Sequence, residues 1–170
     1  MYQDTYVEQV IKRTVTKQEV TVKNIMLVLL IFFAMTTIFV VHILCPVFLI
    51  VFGILYYRQM CRISTEYEYL YLQGTLEIDR VRFQSRRKNM AVINMPEVLA
   101  VAPAGSQKAL AYDHGQMSVM HFESGDPQAD TFVLIARMKG KGKQVKIFWE
   151  PNQKLLEAMK DSIPDRIFYE

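Results

Sequence analysis

No Lys, Arg, Asp or Glu occurs from Asn24 to Tyr57, a gap of 34 positions in a chain of 170. Nearly all of those residues are apolar, so the stretch is excluded from an ordinary solvated surface and marks a membrane protein. Cysteine is scarce too, with Cys45 and Cys61 the only two. They form no CxxC and no metal-ligand spacing, and no pairing within the chain is expected of them. GxSxG, Walker A and HExxH are all missing. With them go the readiest signs of a hydrolase, a nucleotide enzyme or a zinc peptidase. The apolar run is too long for a signal peptide and has no small-residue cleavage site. Ile43 and Leu44 before Cys45 also argue against a lipoprotein site.

The length of the run decides its shape. As one helix, Ile25 to Tyr57 would span about 50 Å at ~1.5 Å per residue. The bilayer hydrocarbon is only about 30 Å thick. Two short helices in a hairpin fit better, at about 24–41 and 43–58, within a membrane segment 24–58. The hinge is expected at "HILCP", His42 to Pro46, because Pro46 lacks an N–H and disfavours helix at Cys45. Tyr56 and Tyr57 then sit at the interface and Arg58 snorkels to the headgroups. Lys12, Arg13, Lys17 and Lys23 precede the spans, Arg58 and Arg62 follow, and the hinge has no Lys or Arg. The positive-inside rule therefore predicts a multi-pass protein of the cell membrane with both termini cytoplasmic. In the polar segment 1–23, Val7, Val10, Ile11 and Val15 have near-helical spacing. A short amphipathic helix on the inner leaflet is expected there, with a loosely ordered tail as the alternative.

Residues 58–170 carry sixteen Lys and Arg against fourteen Asp and Glu, a balance that implies no nucleic-acid partner. They read mostly as strand, and a domain over 63–170 is expected to fold on its own. "EYEYLYL" alternates, with Tyr67, Tyr69 and Tyr71 on one face, and Gln73-Gly74 makes a tight reversal. In "TLEIDRVRFQ" the apolar parity slips between Ile78 and Val81, which demands a bulge or bend near Asp79-Arg80. "MAVINM" and "EVLAVA" are further strands, and "QMSVMHFE" is a candidate one. "TFVLIARM" and "QVKIFWE" flank the turn "KGKGK", with Val145, Ile147 and Trp149 sharing a face. Pro151-Asn152 opens a helix over about 151–163, striped by Leu155, Leu156, Met159 and Ile163.

This order suggests an antiparallel sheet bent into a partly open barrel with a C-terminal α-helix. With "EYEYLYLQGTLEIDRVRFQSRRKNMAVINM" and "IFWEPNQKLLEAMKDSIPDRIF" after two spans, the chain resembles a family of small uncharacterised bacterial membrane proteins. The resemblance covers essentially the whole chain. It implies a two-helix transmembrane hairpin plus a mainly-β, pleckstrin-homology-like (PH-like) domain inside the cell, and brings neither activity nor catalytic residues.

The basic clusters are the candidate functional residues. Arg80, Arg82, Arg86, Arg87 and Lys88 lie in or beside one hairpin. Lys139, Lys141, Lys143 and Lys146 lie in or beside another. Anionic lipids of the inner leaflet attract each such residue by ~1 kcal/mol near the surface. The plainer alternative is that they keep turns solvated and hairpin edges unpaired. PH-like domains that grip inositol phosphates use a basic loop between their first two strands, and here that loop is only Gln73-Gly74. His114 and His121 are expected to be separate surface histidines, and Glu123, Asp126 and Asp130 an ordinary loop. No cofactor or metal is implied. The expected role is a non-catalytic, membrane-anchored module that binds an unidentified protein partner, or alternatively lipid headgroups, with self-association left open.

Overall fold

A computed structural model describes residues 6–39, 44–112, 117–137 and 144–169. The chain divides into two units, Thr14–Thr65 and the combined segments Met1–Arg13 and Glu66–Glu170.

The first unit is a pair of helices. Helix α1 (Lys17–Phe39) has 23 residues and α2 (Leu44–Ile63) has 20, both long and apolar enough to cross a membrane. Helix α1 begins well before residue 24 because a reciprocal cap starts it. The Glu19 N–H donates to Thr16 Oγ1 at 3.3 Å, and the Thr16 N–H donates to Glu19 Oε2 at 3.2 Å. Helix α2 likewise runs beyond 58. Cys45 is helical, contrary to expectation, since Pro46 falls in the first turn, where N–H groups have no intrahelical acceptor to lose. His42 and Ile43, at the start of the expected hinge, lie outside the described residues. Phe33 stacks on Phe48 and Phe52 at 5.2 and 5.3 Å, and Gly53 lets Leu30 approach. Gln59 is buried and satisfied, donating to the Glu19 carbonyl at 3.3 Å.

The second unit is built on two four-stranded sheets that do not close into one barrel. In the first, β1 (Tyr6–Lys12), β2 (Thr65–Leu72), β3 (Thr75–Arg82) and β4 (Arg86–Asn94) lie in chain order. Strand β1 corrects the expected surface helix. It pairs antiparallel with β2 from Tyr6↔Leu72 to Lys12↔Glu66. Val7 is buried while Tyr6, Glu8, Val10 and Lys12 are exposed, a period of two rather than 3.6. Val7 and Val10, expected to share a helix face, point to opposite sides. The domain over 63–170 is therefore incomplete without the strand that precedes the helices.

Gln73 and Gly74 both take positive φ in the β2–β3 turn, as a two-residue hairpin loop requires. The slipped parity of β3 is matched by a register shift between Ile78 and Asp79. Ile78 faces Ala91 but Asp79 faces Asn89, so Met90 is the extra residue.

The second sheet has the order β5-β7-β8-β6. Its strands are β5 (Val98–Pro103), β6 (Ser118–His121), β7 (Phe132–Arg137) and β8 (Gln144–Trp149). Strand β6 runs parallel to β8, and a short helix α3 (Gln107–Ala111), capped by Ser106, follows β5. Helix α4 (Gln153–Lys160) is shorter than 151–163 but starts as expected, with Asn152 Oδ1 accepting from the Leu155 N–H at 2.8 Å. Leu155, Leu156, Met159 and Ile163 are buried with Val145, Ile147 and Trp149 in one core. Tyr69 meets Trp149 edge to face at 5.4 Å. Its hydroxyl donates to the Phe122 carbonyl at 2.8 Å and accepts from the Glu150 N–H at 3.3 Å. Burial holds that phenol well above the ordinary tyrosine range.

Candidate functional site

The β3–β4 hairpin sorts its five basic residues by strand geometry. Arg80 stands opposite Lys88 and Arg82 opposite Arg86, while Arg87 stands opposite Val81. Cross-strand partners share a face and successive residues alternate. Arg80, Arg82, Arg86 and Lys88 therefore share the side that Leu76 and Ile78 occupy farther along β3, and Arg87 lies on the other. Phe83 and Gln84 in the connecting turn both have positive φ, an uncommon conformation for residues with a Cβ. Arg80 bears electrostatically on the half-buried Tyr67, whose phenol is raised by burial. Lys139, Lys141 and Lys143 lie outside the described residues, and Lys146 sits over the Phe148 ring at 5.5 Å.

Arg87 is engaged in the opposite face of the sheet. Its Nη2 donates to Glu68 Oε1 at 2.8 Å and lies 2.5 Å from Oε2, and its Nε lies 3.7 Å from Asp79. Three strands thus bring Glu8, Glu68 and Asp79 around one guanidinium, in a depression of about 70 Å³ also lined by Tyr6 and Leu70. The Tyr6 hydroxyl donates to Glu8 Oε2 at 2.5 Å. That bond holds Glu8 below the usual carboxylate range, and a second one to Glu68 adds to the effect. Glu68 moves the other way. Its burial raises it first and the hydrogen bond it shares with Glu8 second, while Arg87 opposes both. The contact between the two carboxyl groups thus shifts them in opposite directions. Sequence reading missed this cluster, because its members come from three strands and each looks like an ordinary outward-facing acid.

His121 is engaged locally, hydrogen-bonded through Nδ1 to Glu123 at 2.7 Å and stacked on Phe148 at 4.9 Å. His114 lies outside the described residues. Glu150 is buried and accepts from the Ser124 N–H and hydroxyl at 2.8 and 2.9 Å, which ties down the loop of Glu123 and Asp126.

Two sheets with a C-terminal helix, joined in sequence to two apolar helices, agree with the comparison to known families. Residues 3–169 match the bacterial PH-like domain (DUF6106). The chain belongs to that family. The match begins before β1 and runs past α4, so the PH-like unit takes in the strand on the far side of the helices. No curated protein and no solved structure matches the chain.

Proposed function

We propose that this bacterial PH-like protein is a membrane-anchored, non-catalytic module that binds a protein partner at the inner face of the cell membrane. The observation that carries the reading is the split domain. Strands β1 and β2 are adjacent in one sheet, yet α1 and α2 lie between them in sequence. A domain attached through two neighbouring strands is held at the bilayer by both chain connections, which suits a module that recruits or organises rather than one that diffuses. The same pairing supports both termini lying on one side, and the basic residues flanking the helices support the cytoplasm as that side.

Purification of the full chain in mild detergent tests this reading. One stoichiometric co-purifying protein is expected, and its absence at every detergent strength counts against a partner. Outside labelling of a cysteine at position 168 would overturn the topology.

A second reading has its own observation. Arg80, Arg82, Arg86 and Lys88 share one side of a single hairpin, a local basic surface that suits anionic lipid headgroups. Vesicles containing phosphatidylglycerol should then bind the domain at low salt and release it at high salt. Equal binding to neutral vesicles would remove the lipid reading.

A further inference from the structure

We propose that the outward face of the first sheet, centred on Glu8, Glu68 and Asp79, docks a basic segment of the partner in which Lys or Arg alternates with apolar residues. The proposal rests on the partner-binding reading above and names its surface. Among the described residues this face carries Glu8, Glu66, Glu68, Glu77 and Asp79 against only Lys12 and Arg87, in a chain whose net charge is +3. Both cations are already paired, Lys12 with Glu66 at 3.8 Å and Arg87 with Glu68 and Asp79. The face is therefore acidic on a molecule that is otherwise basic, and charge complementarity selects a cationic occupant.

The same face is apolar at alternate points. Tyr6 stands directly opposite Leu72, Glu8 opposite Leu70, Val10 opposite Glu68 and Glu77 opposite Val92. Tyr6, Val10, Leu72 and Val92 are all exposed. Acid and apolar groups thus interleave at strand spacing, which matches a segment whose cations and apolar side chains interleave too. An anionic membrane would be repelled by this surface.

Protonation supports the same occupant. Glu68 is raised by burial and by its bond to Glu8, with Tyr6, Asp79 and Arg87 as its other neighbours. An arriving ammonium or guanidinium favours the ionised form, so binding should strengthen as pH rises through the range where Glu68 titrates.

The test uses the full chain in mild detergent and a fluorescent peptide alternating Lys and Val, read by anisotropy. Glu77→Lys reverses a charge on this face. Glu157→Lys on α4 makes the same change of net charge elsewhere. Wild type and Glu157→Lys should bind alike, and Glu77→Lys should bind about tenfold more weakly. No binding above that of a peptide alternating Glu and Val, or equal loss in both variants, overturns the proposal. A photo-crosslinker at Val92 separates this failure from that of the parent reading. A co-purified partner that crosslinks from Leu110 and not from Val92 refutes the surface and leaves the partner. Crosslinking from Val92 to a second copy of the chain refutes the proposal as well.

Discussion

Cutting the chain at residue 63 should damage a domain that otherwise looks self-sufficient. Such a fragment keeps the strands from β2 onward and α4 but loses β1. With β1 goes Val7, which is only 4% exposed, and full burial of such a side chain is worth about 1.5–3 kcal/mol. Gln9 goes too. Its side chain donates to the Glu150 carbonyl and accepts from the Asn152 N–H, both at 2.8 Å, at the junction where β8 meets α4. Each such bond contributes about 0.5–1.5 kcal/mol net. The backbone ladder roughly offsets the entropy of ordering the strand, so the side chains set the scale. Together they amount to roughly 3–6 kcal/mol, against a total of about 5–15 kcal/mol for a small domain.

The comparison is a joined domain in which Asn-Gly links residues 6–13 directly to 65–169. Lys12 already faces Glu66, so a two-residue turn is the natural closure. Trp149, the only tryptophan and fully buried beside Tyr69, reports unfolding by fluorescence in urea. The joined domain should unfold in one transition. The fragment 63–170 should unfold at least about 1 M urea earlier, given slopes of ~1–3 kcal/mol per M. Equal midpoints would show that β1 contributes nothing and that the split-domain reasoning is wrong.

Trp149→Ala should destabilise the domain by about 3–5 kcal/mol, the range for a buried tryptophan, measured by the same urea titration with circular dichroism as the probe. Within the basic hairpin, Lys88→Glu at an exposed position should leave stability nearly unchanged. Arg87→Glu should cost about 1–3 kcal/mol because it leaves the buried Glu68 carboxyl facing a new carboxylate, the low end being favoured since Arg87 is 59% exposed. Equal effects would mean that the two sides of the hairpin are not distinct. Glu68 makes stability depend on pH in a stated direction. Its raised pKa favours the protonated form in the folded state, so that contribution is complete below the ordinary glutamate value of 4.5 and is lost as pH rises through the raised value. Urea midpoints measured across that window should fall less steeply for Glu68→Gln than for wild type.

What the sequence disclosed and what it hid follow from how local each signal is. The two long apolar helices were legible because an absence of charge needs no partner to be read. Their early start was legible too, in the Thr16–Glu19 cap, but the uncharged run drew the boundary to residue 24 instead. Val145, Ile147 and Trp149 announced a strand because three bulky residues alternate without a break. β1 was not legible by the same means. Val7, Val10 and Ile11 satisfy a helical spacing, while Val7, Gln9 and Ile11 satisfy a strand, and the deciding contact is β2, with Tyr6 pairing to Leu72 across two helices. The hairpin arginines show a similar limit. Composition put Arg86, Arg87 and Lys88 together, whereas alternation separates Arg87 from its neighbours. The acidic face needed three strands to be in register before it existed at all.

The β1–β2 pairing also constrains the membrane helices from outside them. Residues 6–12 and 65–72 belong to one sheet, so in the membrane-anchored arrangement proposed above both segments would occupy one aqueous compartment. Under that arrangement, whatever lies between them would have to cross the bilayer an even number of times. The two apolar helices meet that condition, and one long span would not. A variant lacking α2 makes the conflict physical. With one crossing left, β1 and the remaining strands would face opposite compartments, or α1 would have to leave the bilayer. If β1 is stranded, the rest of the domain should show the same weakening of about 3–6 kcal/mol worked out for the fragment 63–170 from Val7 and Gln9. A cysteine placed at Glu8 should then label from the side opposite to one at Glu157. If both still label from the same side while α1 stays membrane-inserted, the pairing does not govern the topology and this argument fails.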